Sequence, residues 1–377
     1  MSAKPKVYLT SNVFSPEAIG SNDKITQSIK ERISNLWQQL NDAAILKVFN
    51  GRFPTENQIQ EDITTFNPDI LGCHLSHPIS SELLEHSKIF AISTSTAGYN
   101  HIQRTLKDDI LITHTPGVLH ETVADYTIAL IMANLRNIID LHNYVWEGLW
   151  TLKDKWDLDQ NLSYVIHNKT LGIIGMGEIG KEILKRLYPW GVKIVYYDLK
   201  KFDDLDDLYP HIEFKQNLEE IFREADIISL HIPLNKETEN LINHDLLKLM
   251  KQNSLLINTA RGRVLKLDDL LSLLEKTEIK INFCFDVFPE EPIDPKTLNR
   301  IQKIKERHPD IRIILMPHNA SADADTRGKM DILFLEDIIQ IIKSSCLNDL
   351  QHIHLIPEHR NKLFEKKWLI TNYWEKK

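Results

Sequence analysis

Three polar side chains stand where apolar runs end in the second half of the chain. Arg261 follows SLLINTA, Glu291 lies in the PEEP that follows INFCFDVF, and His318 closes RIILMPH. A cation can hold an anionic substrate, an imidazole can move a proton, and a carboxylate can orient that imidazole. Together these are the groups that hydride exchange on a 2-hydroxy acid needs. Upstream, residues 171–180 read LGIIGMGEIG, in which Gly175, Gly177 and Gly180 keep the GxGxxG spacing, with KEILKRL after them and Asp198 closing the next apolar run, VKIVYYD. In a strand-turn-helix the first glycine permits the tight turn, the second lets a pyrophosphate approach the backbone, and the third lets the helix pack close to the strand. A dinucleotide is expected there. An acid at the end of the second strand accepts from both ribose hydroxyls of NAD and repels a 2′-phosphate, so Asp198 favours NAD(H), and the nearby Lys200 and Lys201 are expected to be solvated.

The elements that must carry these groups follow from periodicity. Up to Pro116 the runs KVYLT, AAILKVF, DILGCHL, KIFAISTS and ILITHTP alternate with helical stretches, and residues 170–318 repeat the alternation with LGIIG, VKIVYYD, DIISLHI, SLLINTA, INFCFDVF and RIILMPH. Such repeats predict an α/β protein of two doubly wound parallel-sheet domains, the second with six strands and a Rossmann-type NAD-binding arrangement. Ligands bind beyond the carboxyl ends of such strands. Ile25, Ile29, Ile33, Leu36 and Leu40 form one apolar stripe, so the first long helix lies on a sheet. The stretch HETVADYTIALIMANLRNIIDLHNYVWEG is expected to be one long helix, apolar on more than one face and central to the monomer or buried in a subunit contact. Residues 150–168 lack periodicity and read as an excursion that reaches across an interface. A further helix is expected from Asp323 to Ser345, and the last thirty or so residues, with Trp368 and Trp374 among lysines, carry no interpretable motif. The domains divide as 1–117 with 319–377, the flavodoxin-like substrate domain, and 118–318, the dinucleotide-binding domain.

With 377 residues, 42% of them hydrophobic and 26% charged, the chain is long enough for two cores and has an ordinary globular composition. A net charge of −8 without a basic stripe argues against nucleic acid as a partner. Cys73, Cys284 and Cys346 are too scattered for a disulfide framework or a zinc site, and the HxH pair His352 and His354 lacks a third ligand, so no metal is expected. MSAKPKVYLT runs into a strand without a signal-peptide core, and no apolar run approaches the ~20 residues of a membrane span. A cytoplasmic protein is expected, with no membrane partner.

NTARGRV at 258–264, DVFPEEP at 286–292, MPHNAS at 316–321, SLHIPLNKET at 229–238 and the GMGEIG loop together resemble the D-isomer-specific 2-hydroxyacid dehydrogenases. The resemblance runs from about residue 5 to 345. STAGYNHI and THTPGVLHETVADYTIALIMA are most similar to the glyoxylate/hydroxypyruvate reductase branch. It implies that His318 gives a proton to the substrate carbonyl oxygen, that Glu291, selected over Glu290 by its spacing from Asp286, bonds the other ring nitrogen and favours the imidazolium, and that Arg261 holds the substrate carboxylate. It also implies that the amides of Ala97 and Gly98 bind that carboxylate. For the cofactor, NAD, it implies Gly175, Met176, Gly177, Glu178, Ile179, Gly180, Asp198, His231, Pro233, Thr238, Thr259, Ala260 and Asp286. His231 is equally open to reading as a satisfied strand-end histidine. The substrate would be a small 2-oxo acid and the assembly a homodimer, with Trp150 and Trp156 comparable to a loop that lends an aromatic to the neighbouring subunit. Departures are Asn282 and Cys284 where the family has glycines, flanked by Phe283 and Phe285, and Lys266 where it has Asp. Two alternatives stay open: a dehydrogenase of larger acids such as 3-phosphoglycerate, and a dinucleotide-sensing scaffold like the C-terminal-binding-protein corepressors.

Overall fold

Short β-branched and aromatic runs, each followed by an amphipathic segment, fold into two all-parallel sheets in this computed structural model, which describes residues 4–77, 79–85, 87–103, 109–151, 158 and 160–375. The chain divides into two compact units: residues up to Leu119 together with those from Ala322 onward, and His120–Ser321.

In the first unit β1 (Lys6–Leu9), β2 (Ile45–Val48), β3 (Ile70–Cys73), β4 (Ala91–Thr94) and β5 (Leu111–Thr113) line up in the order β2-β1-β3-β4-β5. Strands β3, β4 and β5 are buried throughout, as apolar runs covered on both faces must be. Helix Gln27–Ala43 turns Ile29, Ile33, Leu36 and Leu40 inward, and Ile25, just ahead of it, is buried too. Helix Ala324–Lys343 packs on it so closely that a Cβ on Gly328 would come within 2.5 Å of Ile29. Asp323 caps that helix by accepting from the Thr326 amide at 2.8 Å.

The segment after this helix is part of the core. It returns to the edge of the sheet beside β5 through an antiparallel bridge between Thr113 and Leu355, and the Leu369 amide donates to the Asp109 carbonyl at 3.0 Å. Trp368 is wholly buried with its indole N–H on the Leu363 carbonyl at 2.9 Å, and Trp374 donates to Ser344 Oγ at 3.3 Å. Periodicity could not reveal this, because isolated apolar residues in a turn-rich segment have no repeat to read.

The second unit contains β6 (Thr170–Ile174), β7 (Lys193–Tyr197), β8 (Glu213–Phe214), β9 (Ile227–Leu230), β10 (Ser254–Asn258), β11 (Ile281–Phe285) and β12 (Ile313–Leu315), ordered β12-β11-β10-β9-β6-β7-β8. The sheet thus has seven strands where the sequence predicts six; β8 is two residues long and too short to show a pattern. The departures in β11 are accommodated by new contacts. Asn282 donates to the Asn253 and Ser254 carbonyls and accepts from the Arg312 amide at 2.8 Å, and Phe283 stacks with Phe285 at 4.9 Å.

The long helix expected after residue 120 is two helices, His120–Leu135 and Ile138–Trp146. Asn137 sits between them with φ 55°, a left-handed conformation that breaks the hydrogen-bond ladder. The second of these helices has no buried residue. Trp150 is exposed, and Trp156 lies outside the described residues. Among the described residues no helix is long and apolar enough to cross a membrane.

One charge in the first unit is out of the ordinary. Asp331, partly buried on helix Ala324–Lys343, accepts from Ser95 Oγ at 2.8 Å, and desolvation lifts its carboxyl to about 7 against the opposing pull of Ser95 and Arg327. The unfolded chain releases that proton near ~4, so between these values the folded state is the more protonated and loses stability as pH rises. Thermal melts should therefore decline more steeply from pH 5 to pH 8 for the natural chain than for Asp331→Asn, which keeps a partner for Ser95. Equal slopes would mean that Asp331 ionises normally.

Candidate active site

Parallel strands all end on one side, and each residue expected at a site in the second unit lies at such an end, in the loop that leaves it or, for Glu178, Ile179 and Gly180, in the first turn of the helix that follows. Beyond β6 the glycine loop has the geometry its spacing implies. Gly175 has φ +96°, and a Cβ there would lie 2.6 Å from the His231 carbonyl; a Cβ on Gly180 would lie 2.3 Å from the Gly175 carbonyl. Gly177 has nothing within 4 Å of its missing Cβ, which leaves the backbone open on that side. Helix Glu178–Leu187 begins immediately after, so Glu178 and Ile179 present its first amides. Two closed approaches and one open one suit a pyrophosphate on a helix N-terminus.

Asp198, one residue past β7, closes over this loop: its Oδ2 accepts from the Met176 amide at 2.8 Å and its Oδ1 from Leu199 at 2.7 Å. The nearby cations are engaged elsewhere. Lys201 pairs with Asp206, and Lys200 lies 5.4 Å from the Phe202 ring centre. Past β9, His231 Nε2 meets Ser229 Oγ at 2.7 Å, its Nδ1 has no partner among the described residues, and burial lowers its pKa to about 3, so the ring is neutral. Thr238 folds the next turn by donating to the Pro233 carbonyl at 2.6 Å and accepting from the Asn235 amide at 2.8 Å.

The loop after β10 is held by Asn258 and Thr127, to which the sequence assigns no role. Asn258 accepts from the Ala260 amide and donates to the Arg261 carbonyl, each at 3.0 Å, while Thr259 Oγ1 pairs with Thr127 Oγ1 at 2.9 Å. Arg261 donates to the Ala260 carbonyl at 2.7 Å; desolvation lowers its pKa and the Glu291 charge opposes this, so the guanidinium stays charged. Gly262 is obligatory for close approach, since a Cβ there would lie 1.9 Å from the Phe288 carbonyl carbon. That contact brings the Arg261 backbone against the loop that carries Glu291.

Beyond β11 and β12 an imidazole and a carboxylate are paired. His318 Nδ1 lies 2.6 Å from Glu291 Oε2, and the other carboxylate oxygen accepts from the Phe288 amide at 2.9 Å. Burial pushes the Glu291 pKa up, but the bonds from His318 and Phe288 and the charges of His318 and Arg261 outweigh it and hold the carboxyl below its ordinary value. His318 has φ 56°. Asp286, wholly buried, maintains that conformation: its carbonyl accepts the His318 amide at 2.8 Å and its carboxylate the Asn319 and Ala320 amides at 2.7 and 2.8 Å. Arg261, Asp286, Glu291 and His318 are therefore brought together. Ala97 and Gly98 belong to the first unit, in the loop that leaves β4. His354 Nδ1 is bonded to Asp337 at 3.0 Å. His120, Glu121 and Glu182 bring ligand atoms within 4.8 Å of one another, but Glu182 is committed to Arg186.

A dinucleotide-binding sheet with an imidazole-carboxylate pair and an arginine on its neighbouring strand ends defines a nicotinamide-dependent oxidoreductase. The chain belongs to the D-isomer-specific 2-hydroxyacid dehydrogenases, whose NAD-binding domain matches residues 128–320. It is 34% identical over 348 residues to the glyoxylate reductase of Thermofilum pendens, covering 90% of this chain and 92% of that one, and 35% identical over 274 residues to that of Korarchaeum cryptofilum, covering 72% and 79%. The fold is shared with the crystal structure of a glyoxylate reductase from Paecilomyes thermophila, with a TM-score of 0.73 at 23% identity over 95% of this chain and all of that one. NAD is its cofactor, and its enzyme class is that of oxidoreductases acting on CH–OH donors.

Gly262→Ala should force the 261–262 backbone off residues 288–289 and cost about 1–3 kcal/mol. Urea denaturation measures this, and an unchanged midpoint would mean that the 288–289 loop yields.

Proposed function

We propose that the protein reduces a small 2-oxo acid, glyoxylate or hydroxypyruvate, to the 2-hydroxy acid with NADH. The observation that carries this is the 2.6 Å pair between His318 Nδ1 and Glu291, which leaves Nε2 without a partner among the described residues. Full-length similarity to glyoxylate reductases supports the small substrate. When bound, the reduced nicotinamide supplies a hydride to the carbonyl carbon. His318 donates the proton from Nε2 to the carbonyl oxygen as charge develops there, and it takes the proton back in the reverse direction. Glu291 fixes the orientation of the ring through Nδ1. Arg261 holds the substrate carboxylate and polarises the carbonyl, and the Ala97 and Gly98 amides bind the same carboxylate. On the cofactor side, the 175–180 amides take the pyrophosphate, Asp198 the adenosine ribose, and His231, Pro233, Thr238, Thr259, Ala260 and Asp286 line the remainder. The three free cysteines support a reducing, cytoplasmic setting.

Oxidation of NADH and of NADPH against a panel of 2-oxo acids, 3-phosphohydroxypyruvate included, tests this. Glyoxylate or hydroxypyruvate with NADH should give the highest kcat/KM; a clear preference for the phosphorylated acid would overturn the substrate assignment. His318→Ala should lower kcat about 10² to 10⁴-fold with little change in NADH binding. Glu291→Ala removes the partner that orients the ring, so kcat should fall about 10-fold or more with little change in NADH binding. An unchanged kcat would mean that the ring is oriented without it.

We also propose a homodimer in which a second copy covers helix Ile138–Trp146. Ile138, Ile139, Val145, Trp146, Leu149 and Trp150, six large apolar side chains within thirteen residues, are all exposed, and clustered exposed apolar residues mark interaction surfaces. Light scattering should give twice the chain mass, and Ile138→Lys with Trp146→Lys should give the monomer. A natural chain that is monomeric at micromolar concentration would overturn this.

A further inference from the structure

Neither the Ala97 nor the Gly98 amide donates to a protein acceptor among the described residues. The carbonyls that share their peptide planes are both held. The Thr115 amide donates to the Thr96 carbonyl at 2.9 Å, and that carbonyl lies in one plane with the Ala97 N–H. His114 Nδ1 lies 2.8 Å from the Ala97 carbonyl oxygen, in one plane with the Gly98 N–H. In a trans peptide the C=O and N–H point in opposite directions, so a donor placed on one carbonyl aims the next amide the other way. Thr96 Oγ1 adds a third restraint by donating to the Gly98 carbonyl at 2.7 Å.

Because a carbonyl can only accept, the His114 hydrogen sits on Nδ1. Burial lowers the pKa of this ring against the opposing pull of the Ala97 carbonyl, so it stays neutral near pH 7. The ring is itself held in place. Its own amide donates to the His354 carbonyl at 2.9 Å, and its ring makes a T-shaped contact with the Tyr99 ring, centroids 5.5 Å apart, with the Tyr99 hydroxyl on Glu358 at 2.9 Å. His354 is anchored in turn to Asp337. The C-terminal segment, unread by sequence pattern, thereby reaches the loop after β4.

We propose that His114 is a positioning residue that aims the Gly98 N–H at the substrate carboxylate, held in register by the 354–358 segment; this rests on the carboxylate role proposed above for Ala97 and Gly98. Asparagine places a side-chain N–H where Nδ1 sits, and glutamine places one nearer Nε2. H114N should therefore keep KM for glyoxylate and Ki for oxalate, which cannot be reduced, within about threefold of the natural values, whereas H114Q should raise both about tenfold or more, the scale of a lost hydrogen bond to a charged group. Kd for NADH should be unchanged in both. Equal effects of the two variants, or a better H114Q, would overturn the proposal. Should H114Q not fold, ¹⁵N spectra of the natural protein decide, with the His114 ring assigned by its loss in H114N: the Nδ1–H tautomer is expected and the Nε2–H tautomer overturns the proposal. A natural enzyme that reduces no 2-oxo acid would instead remove the proposed function, and the tautomer would still show whether His114 holds Ala97.

Discussion

Asp286 carries a wholly buried carboxylate, and its two oxygens and its carbonyl take three successive backbone amides, those of Asn319, Ala320 and His318. Hydrogen bonds to a charged group contribute roughly 1.5–3 kcal/mol each, enough to offset the cost of about 1–2 kcal/mol for holding a non-glycine residue in the left-handed region. His318 is that residue, and its ring reaches Glu291 only because the backbone is turned this way. A buried charge with no amides to receive it would be far costlier than the turn it stabilises. Asp286 and the 318–320 loop therefore stand or fall together.

The sheet supplies the distances. Neighbouring strands lie about 4.8 Å apart, so residues that leave the ends of β10, β11 and β12 are neighbours although positions 261 and 318 are far apart in the chain. Gly262 then removes the one Cβ that would keep the Arg261 loop from the 288–289 backbone. Farther along the sheet, Gly175 and Gly180 do the same for the turn after β6. In both places a missing side chain lets two backbones meet, and the polar groups follow from where the backbones are.

The first unit uses a different device. Its loop after β4 is shaped by donors on carbonyls: Thr115 on Thr96, His114 on Ala97 and Thr96 on Gly98. The segment that fixes His114 is the same one that buries Trp368 and extends the sheet edge at Thr113. Its core role and its reach toward the loop are two consequences of one placement.

Much of this was legible in the residues alone. The GxGxxG spacing with Asp198, the strand and helix alternation, and Arg261, Glu291 and His318 at strand ends all rest on local pattern, because period and turn chemistry are properties of neighbouring residues. Other features were decided only in three dimensions. The break at Asn137 depends on one backbone angle within an otherwise helical pattern, and β8 exists only because β7 offers it an edge. His354 and His114 become an anchor and a donor through partners far along the chain, and Trp368 is buried in a core that gathers residues from both ends of the sequence; no local pattern encodes which distant group a side chain will meet.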